Sequence, residues 1–231
     1  MTRRSKREPA PLEIAMTTAA DTLSPASRAA RPATAVLRVA EPDGLLRIGE
    51  AGVAAAIWDR APDPAFAAWI DALPPERLPS LRAAMPCARA RDAVAAACDD
   101  AGLEARRERD LLADDVAALA LLFARAAGAP MIHVRLDVVR TDSCRRFHLD
   151  TVRLRLLCAY RGAGTEYGAA PHGGTPERIE RAPRGAAGLF RGRRWPGEDT
   201  GLLHRSPPIA GTGETRLLLV IDPFEPDDED D

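Results

Sequence analysis

Two stretches, MIHVRLDVV (131–139) and FHLDTVRLRLLCAY (147–160), decide the fold class because they carry the clearest strand patterns in the chain. In the first, apolar residues alternate with polar ones from Ile132 to Val138, which is the period of a half-buried strand. TRLLLVID (215–222) is a third strand candidate. Gly and Pro recur every few residues between about 161 and 213, a pattern typical of short strands joined by turns.

The sequence before residue 130 has helical periodicity instead. Helices are predicted over 63–73, 88–102 and 107–128, with one short strand at Val53–Trp58. Asp63 is a candidate N-cap for the first helix. Helices followed by many short strands predict an α+β fold, or a β-barrel or jelly roll flanked by helices.

The chain divides into four segments by composition. Residues 1–33 are rich in Ala, Pro, Thr, Ser and Arg without periodicity, and we expect a disordered leader. Residues 34–129 form a mainly helical N-terminal part, and 130–223 form the β core. Residues 224–231 are an acidic tail that we also expect to be disordered.

Charge and hydropathy exclude several classes of protein. The 231 residues carry a net charge of −2 and are 46% hydrophobic, so a general nucleic-acid-binding protein, normally clearly basic, is not expected. No apolar run reaches the length of a membrane span, and no apolar stretch follows the basic N-terminus as in a signal peptide. We expect a soluble cytoplasmic protein with reduced cysteines and no nucleic-acid or membrane partner.

The residues with the strongest chemical signal are His148 and Asp150. Residues two apart in a strand share a face, and the same parity continues through the apolar Leu154 and Leu156. The sequence therefore predicts that His148 and Asp150 point inward. On the same reasoning, Arg153 and Arg155 are expected to face solvent.

A second histidine and an arginine extend this pattern. His204 follows 54 residues after Asp150, and Arg216 begins the last strand. Two histidines and one carboxylate form a facial triad that leaves open positions on Fe(II), as oxygenases require. An arginine beyond the second histidine can bind a carboxylate through two parallel hydrogen bonds. The structural alternative is a hydrogen-bonded His148–Asp150 pair and a loop histidine held by Ser206.

Arg216 has its own structural alternative, which is a simple ion pair with Glu214 or Asp222. Lys6 is the only lysine among 32 basic residues, so arginine is common throughout and a single one is weak evidence of function. Two further residues each allow two interpretations. Trp195 lines the pocket mouth or pins a loop, and Glu166 approaches substrate or stabilises a turn.

The order H-x-D, then H, then R resembles the 2-oxoglutarate- and Fe(II)-dependent dioxygenases over roughly residues 131–222. This resemblance implies a double-stranded β-helix (jelly-roll, cupin-like) core with the N-terminal helices packed on it. It also implies Fe(II) bound by His148, Asp150 and His204, and 2-oxoglutarate bound by Arg216.

A closer resemblance rests on CRRFHLDTVRLRLLCAYRGAGTEYG (144–168), LFRGRRWPG (189–197) and LHRSPP (203–208). These runs resemble the bacterial family called domain of unknown function 1826, from about residue 36 onward. Its members have no settled activity, although some are encoded beside zinc-homeostasis genes. The family often has lysine at the position of Arg191, which is assigned no role.

Three functions follow as hypotheses. The first is an Fe(II)/2-oxoglutarate oxygenase acting on an unknown small-molecule or protein substrate. The second is a non-catalytic cupin-like protein that binds a metal or small ligand, with zinc as the alternative metal. The third is a degenerate barrel that serves only as an interaction module.

Overall fold

The computed structural model of this protein describes residues 31–142 and 144–224. Most of the predicted leader (1–30) and of the acidic tail (225–231) therefore lies outside the described residues. Ala33 is buried and donates a backbone hydrogen bond to the carbonyl of Asp199 at 2.7 Å. At the other end, the ring of Phe224 lies 5.1 Å from that of His133. Ala33 and Phe224, which fall within the predicted leader and tail, therefore make contacts with the rest of the described residues.

The described residues form three α-helices, three short 3-10 helices and ten strands. The α-helices are α1 (Pro64–Ala72), α2 (Ala90–Asp100) and α3 (Arg107–Ala127), and the 3-10 helices span Pro42–Gly49, Pro75–Arg77 and Cys87–Arg89. The strands are β1 (Ala35–Val39), β2 (Val53–Trp58), β3 (Leu81–Pro86), β4 (Met131–Val139), β5 (Leu154–Arg161), β6 (Glu166–Ala169), β7 (Glu180–Arg181), β8 (Ala187–Arg191), β9 (Leu202–Arg205) and β10 (Arg216–Pro223).

The strands form a large sheet of order β1-β2-β8-β5-β10-β4-β3 and a small sheet of order β7-β6-β9. Neighbouring strands are antiparallel except for β1 and β2, which run parallel. A single-residue bridge between His148 and His204 extends the small sheet on the other side of β9. The expectation of a chain that mixes helices and sheets is confirmed.

Strands from both halves of the sequence share the large sheet. β1 and β3 form its two edges, and both precede residue 130. β3 pairs with β4 across that position, from Leu81 opposite Leu136 to Pro86 opposite Met131. The sequence changes element type near residue 130, while the hydrogen-bonded pairing continues across it.

The helices cover one face of the large sheet. Asp63 caps α1 by accepting hydrogen bonds from the backbone N–H groups of Ala65 and Phe66, as its position before Pro64 predicted. Gly128 ends α3 in the left-handed conformation at φ 60°, which glycine adopts without steric cost. Among the described residues, no helix has the length and apolar composition needed to cross a membrane.

This face buries the larger of two apolar clusters. In α3 the buried stripe is Leu112, Val116, Leu119 and Phe123, which packs with alternate residues of β4, β5 and β10. The opposite face of the large sheet carries a smaller cluster that includes residues of the small sheet. Its larger members are Ile57, Leu157, Tyr167, Phe190, Leu202, Leu218 and Val220.

We expect Phe123→Ala to lower the free energy of unfolding by about 3–5 kcal/mol, because it leaves a cavity in the larger cluster. Leu121 on the same helix is 49% exposed, so Leu121→Ala serves as the control and should change stability by less than about 0.5 kcal/mol. Urea unfolding of the three proteins measures both values. Equal effects of the two substitutions would contradict the assignment of the buried helix face.

Candidate functional site

The two histidines of the sequence pattern meet through backbone pairing. His204 lies in β9 opposite Tyr167 of β6, and its N–H donates to the carbonyl of His148 at 3.1 Å. The N–H of His148 donates back to the carbonyl of His204 at 3.0 Å. The two rings lie 4.7 Å apart, so the backbone bridge brings both imidazoles to one place.

Asp150 is fixed by a close approach of the chain that follows β8. The N–H of Arg193 donates to the carbonyl of Asp150 at 2.8 Å, and the N–H of Gly192 donates to the carbonyl of Arg153 at 3.0 Å. A Cβ atom on residue 192 would stand 2.0 Å from the carbonyl oxygen of Val152. Only glycine permits this approach, which holds the backbone of Asp150 beside the histidines.

The three side chains converge on one point. One ligand-type atom from each of His148, Asp150 and His204 lies within 4.8 Å of the others. Nε2 of His204 is 2.9 Å from Oδ2 of Asp150, and Nε2 of His148 is 3.4 Å from Oδ1. The side chains are 33%, 9% and 5% exposed for His148, Asp150 and His204, so the cluster is open only on the His148 side.

The hydrogen bond of His148 indicates which ring nitrogen is available. Its Nδ1 lies 2.9 Å from the carbonyl oxygen of Arg146. A carbonyl only accepts, so Nδ1 carries the hydrogen and Nε2 presents its lone pair to the cluster whenever the ring is neutral. The hydrogen bond with Asp150 raises the pKa of His148, while burial lowers the pKa of His204 below its usual range.

One carboxylate oxygen of Asp150 has no hydrogen-bond donor among the described residues. Burial by itself would raise the pKa of Asp150, but contacts with His148, His204 and Arg155 outweigh burial and hold it far below its usual range. The group is therefore a carboxylate. Its Oδ2 is buried and accepts no hydrogen bond in the described part of the chain, even though Nε2 of His204 is close. A buried acceptor without a donor is costly and is the arrangement expected of an empty ligand position.

The shared-face argument that led to Asp150 was wrong in one step. The predicted strand 147–160 is regular only from Leu154 onward, and residues 151–153 form a bend. This bend resets the alternation. Leu154 and Leu156 face the helices, whereas Arg155 lies on the side of Asp150.

The expectation that Arg153 and Arg155 face solvent was also wrong. Arg153 donates to the carbonyl of Ala127 at the end of α3. Arg155 donates through Nη1 to Oδ1 of Asp150, and through Nε and Nη2 to both oxygens of Asp222 at 2.6 and 2.7 Å. Sequence reasoning missed this role because Asp222 is 67 residues away and reaches Arg155 only through strand pairing.

Arg216 is fully buried at the start of β10. Its Nε donates to the carbonyl of Ala163 at 2.7 Å, and its Nη1 donates to Oγ of Ser206 at 2.9 Å. Its Nη2 is buried and has no partner among the described residues. Burial lowers the pKa of Arg216, and the more distant charges of Glu214 and Glu166 raise it without offsetting burial.

The simple ion pair considered for Arg216 does not form. Oε1 of Glu214 accepts from the N–H of Ala163 at 2.6 Å instead. Asp222 is engaged by Arg155. No carboxylate of the described residues lies within ion-pairing distance of Arg216, although this buried cation would be stabilised by one.

A cavity of about 110 Å³ lies beside these groups. Both triad histidines line it, and so does Ser206, whose hydroxyl accepts a hydrogen bond from Arg216. Asp150 and Arg216 are not among the lining residues and lie behind them. The lining residues of the cavity are Arg135, Asp137, Val139, Cys144, His148, Arg155, Leu157, Thr165, His204, Arg205, Ser206, Leu218 and Val220.

Glu166 and Trp195, for which the sequence allowed two interpretations each, both make structural contacts. The carboxylate of buried Glu166 pairs with Arg181 of β7 and, at 2.7 Å, with Arg205 of β9, so it ties the small sheet together. The ring of Trp195 lies 4.5 Å from the guanidinium of Arg191, packs against the helix-side cluster, and is not among the residues that line the cavity. This arrangement matches the interpretation that Trp195 pins a loop.

A second cavity, of about 140 Å³, lies on the helix side of the large sheet. Its polar groups satisfy one another, because Arg60 forms an ion pair with Asp115 and the hydroxyl of Tyr160 donates to Asp115 at 2.6 Å. None of its lining polar atoms is both buried and unpaired in the described ranges. Of the five buried unpaired side-chain atoms in the described ranges, three belong to Asp150, His204 and Arg216, and the other two belong to Arg153 and Thr200. The grouping of three of them near the first cavity makes that cavity the candidate site.

We expect the pKa values of the two triad histidines to be shifted in opposite directions in the metal-free protein. His204 should titrate below the ordinary pKa of about 6.5 and His148 above it. Because the unfolded chain then binds a proton that buried His204 does not, His204 contributes stability that is lost as the pH falls below about 6.5. His148 contributes stability that is lost as the pH rises through its raised pKa.

Ring resonances followed by NMR against pH measure both values, with His148→Gln and His204→Gln assigning the signals. Asp150→Asn is the informative control, because it removes the contact that raises the pKa of His148. A midpoint for His204 at or above about 6.5 would contradict the burial of this ring.

No curated protein matches the chain. Among solved structures, it is similar to the dioxygenase for auxin oxidation 1 from Arabidopsis thaliana, in a complex with 2-oxoglutarate, with a TM-score of 0.50 and 14% identity over 85% of this chain and 94% of that chain. It also matches a prolyl-4-hydroxylase from Pseudomonas putida, with a TM-score of 0.41 and 13% identity over 80% of this chain and 100% of that chain.

The similarity to the Arabidopsis protein extends over nearly the whole of both chains and shows a common fold. The family match covers residues 40–222 and therefore most of the sequence, including the small sheet, the large sheet apart from β1, the triad and Arg216. The chain belongs to the family described as "Protein of unknown function (DUF1826)".

Proposed function

We propose that this protein is an Fe(II)- and 2-oxoglutarate-dependent oxygenase whose two facing sheets form a double-stranded β-helix. One observation carries the proposal. The side chains of His148, Asp150 and His204 converge, and both histidines line a cavity that Ser206 also lines. Ser206 accepts a hydrogen bond from the buried guanidinium of Arg216, which has no carboxylate within ion-pairing distance among the described residues. The fold shared with a dioxygenase supports this choice of chemistry.

The donor set suits a divalent metal ion. His148 offers Nε2 because its Nδ1 is committed to Arg146, and the low pKa of His204 keeps that ring neutral, as a ligand must be. Asp150 offers the unpaired Oδ2. Two imidazoles and one carboxylate are the ligands of non-haem Fe(II) oxygenases, and they leave the remaining coordination positions open.

Arg216 suits one end of a dicarboxylate. Its unpaired Nη2 and the neighbouring hydroxyl of Ser206 provide two donors for a carboxylate group. In the proposal, the far carboxylate of 2-oxoglutarate binds to Arg216 and Ser206, while its other end faces the triad. Bound Fe(II) together with 2-oxoglutarate would supply the O2 activation needed to oxidise a C–H bond of the substrate.

The remaining lining of the cavity is partly apolar and partly charged. Leu157, Leu218 and Val220 are largely buried apolar residues that line one part of the cavity. The charged residues Arg135, Asp137 and Arg205 line another part. The exposed side of His148 leaves an opening through which the unknown substrate is expected to approach.

The alternative function is a cupin-like protein that binds a metal without turnover. Two histidines and a carboxylate also bind zinc, so the donor set by itself does not distinguish the metals. Arg216 does, because a non-catalytic zinc site has no need of a buried cation beside it. This is the reason for ranking the oxygenase first.

We expect the purified metal-free protein, supplied with Fe(II), 2-oxoglutarate and air, to form succinate slowly in the absence of substrate. His204→Ala should abolish this turnover because it removes a buried ligand. Protein purified without a metal-affinity tag and assayed for bound metals provides the comparison. Tightly bound zinc together with no succinate from any preparation would replace the oxygenase by the metal-binding alternative.

We expect Arg216→Ala to weaken 2-oxoglutarate binding to the anaerobic Fe(II) protein while Fe(II) binding is retained. Loss of a buried charge-assisted contact costs on the order of 2–5 kcal/mol, which corresponds to a reduction in affinity of at least about 30-fold. Calorimetric titration of 2-oxoglutarate measures the change.

The matched control is Arg161→Ala, which removes a guanidinium that donates to the carbonyl of Leu73 on the helix side, at 2.7 Å. This variant should bind 2-oxoglutarate as the unaltered protein does. If Arg216→Ala also binds 2-oxoglutarate with unchanged affinity, the assignment of Arg216 to the co-substrate is wrong.

A further inference from the structure

We infer that Arg155 is a positioning residue for the metal site, because it occupies Oδ1 of Asp150 and thereby leaves Oδ2 as the one oxygen presented to a metal ion. The inference rests on the proposed metal site and concerns how that site is held in shape.

The first support is the fixed position of the guanidinium. Nη1 of Arg155 donates to Oδ1 of Asp150, while Nε and Nη2 donate to the two oxygens of Asp222 at 2.6 and 2.7 Å. Asp222 lies on β10, the strand next to β5, so the two-pronged contact anchors Arg155 to a neighbouring strand. The exposed fractions of Arg155, Asp150 and Asp222 are 17%, 9% and 10%. A planar guanidinium held in this way cannot follow a rotation of the Asp150 carboxylate.

The second support is the division of roles between the two oxygens. Oδ1 accepts the bond from Arg155, whereas Oδ2 is buried, accepts no hydrogen bond among the described residues, and lies 2.9 Å from Nε2 of His204. Rotation of the carboxylate would break the bond to Arg155. Asp150 is therefore suited to bind a metal through one oxygen, which keeps a coordination position open.

The competing explanation is that Arg155 only ties β5 to β10. Such a role predicts lower stability on substitution and unchanged metal binding in the molecules that remain folded. Positioning predicts a change in the metal site itself, because partners of metal ligands orient those ligands and their loss typically reduces metal affinity by about 10–100-fold.

The test uses the full chain without metal and Co(II) as the probe, since its visible absorption reports the number and arrangement of ligands. Co(II) affinity is measured by calorimetry for the unaltered protein, Arg155→Met, Arg155→Lys and the double variant Arg155→Met/Asp222→Asn. The double variant neutralises the carboxylate of Asp222, which the single substitution leaves with Arg135 as its cation, at 3.4 Å. Arg153→Met is the matched control, because Arg153 is two residues earlier and bonds to α3 instead of the site.

We expect Arg155→Met and the double variant to bind Co(II) about 10–100-fold more weakly and to show an altered absorption spectrum. Arg155→Lys, which keeps a cation between the carboxylates but lacks the planar fork, should fall between these variants and the unaltered protein. Arg153→Met should match the unaltered protein in both measurements.

The outcomes separate this inference from the proposed function. If the unaltered protein binds Co(II) and Arg155→Met binds it with the same affinity and spectrum, Arg155 does not position Asp150, while the metal site stands. If the unaltered protein does not bind Co(II), the metal site and this inference both fail. Should Arg155→Met not fold, Arg155→Lys decides, and an affinity and spectrum like those of the unaltered protein overturn the inference.

Discussion

The carboxylate of Asp150, buried between two imidazoles and one guanidinium, is the interaction on which the rest of the site depends. A carboxylate removed from water is strongly disfavoured unless charged or hydrogen-bonding groups compensate it. Here Arg155 compensates one oxygen, and the other oxygen faces His204 without a hydrogen bond. Oδ2 is therefore the oxygen of Asp150 that is available to a ligand, and a divalent cation would bind at this point.

The two faces of the large sheet have different roles. One face packs against the helices and stabilises the strands, and the other face carries residues of the candidate site. The helix face buries most of the apolar side chains, with Phe123 and Leu136 fully enclosed, and this packing fixes the strands. The opposite face carries the polar groups. β5 and β10 contribute to both faces, because alternate residues of each strand point to opposite sides. Leu154 thus belongs to the core, whereas Arg155, its neighbour in the chain, belongs to the site.

The buried arginines differ in how their charge is compensated, and this difference sets Arg216 apart from the others. Arg191 donates to the carbonyls of Ile48 and Glu50 and pairs with Glu198 at 3.0 Å. Arg155 lies between two carboxylates. Arg216 has one carbonyl, one hydroxyl and a free Nη2. In a chain so rich in arginine, composition says nothing about function, and the missing counter-charge is what distinguishes Arg216.

Local pattern was sufficient for the regular elements and for the identity of the triad. The helix of α3, its end at Gly128 and the strands β2 and β4 follow from residue periodicity and capping, which depend on near neighbours in the sequence. His148, Asp150, His204 and Arg216 were likewise identified by their order. The parity argument for Asp150 failed because it assumed a continuous strand, whereas the chain bends at 151–153 and is hydrogen-bonded there to residues 192–194, about 40 residues later. The sequence by itself therefore determined the regular elements and the residues proposed for the site, while only the tertiary structure decided that Arg155 faces Asp150 and that Arg216 has no carboxylate within ion-pairing distance among the described residues. The physical reason is that charge compensation in a buried site depends on distances between strands, and residues that are far apart in the chain set those distances.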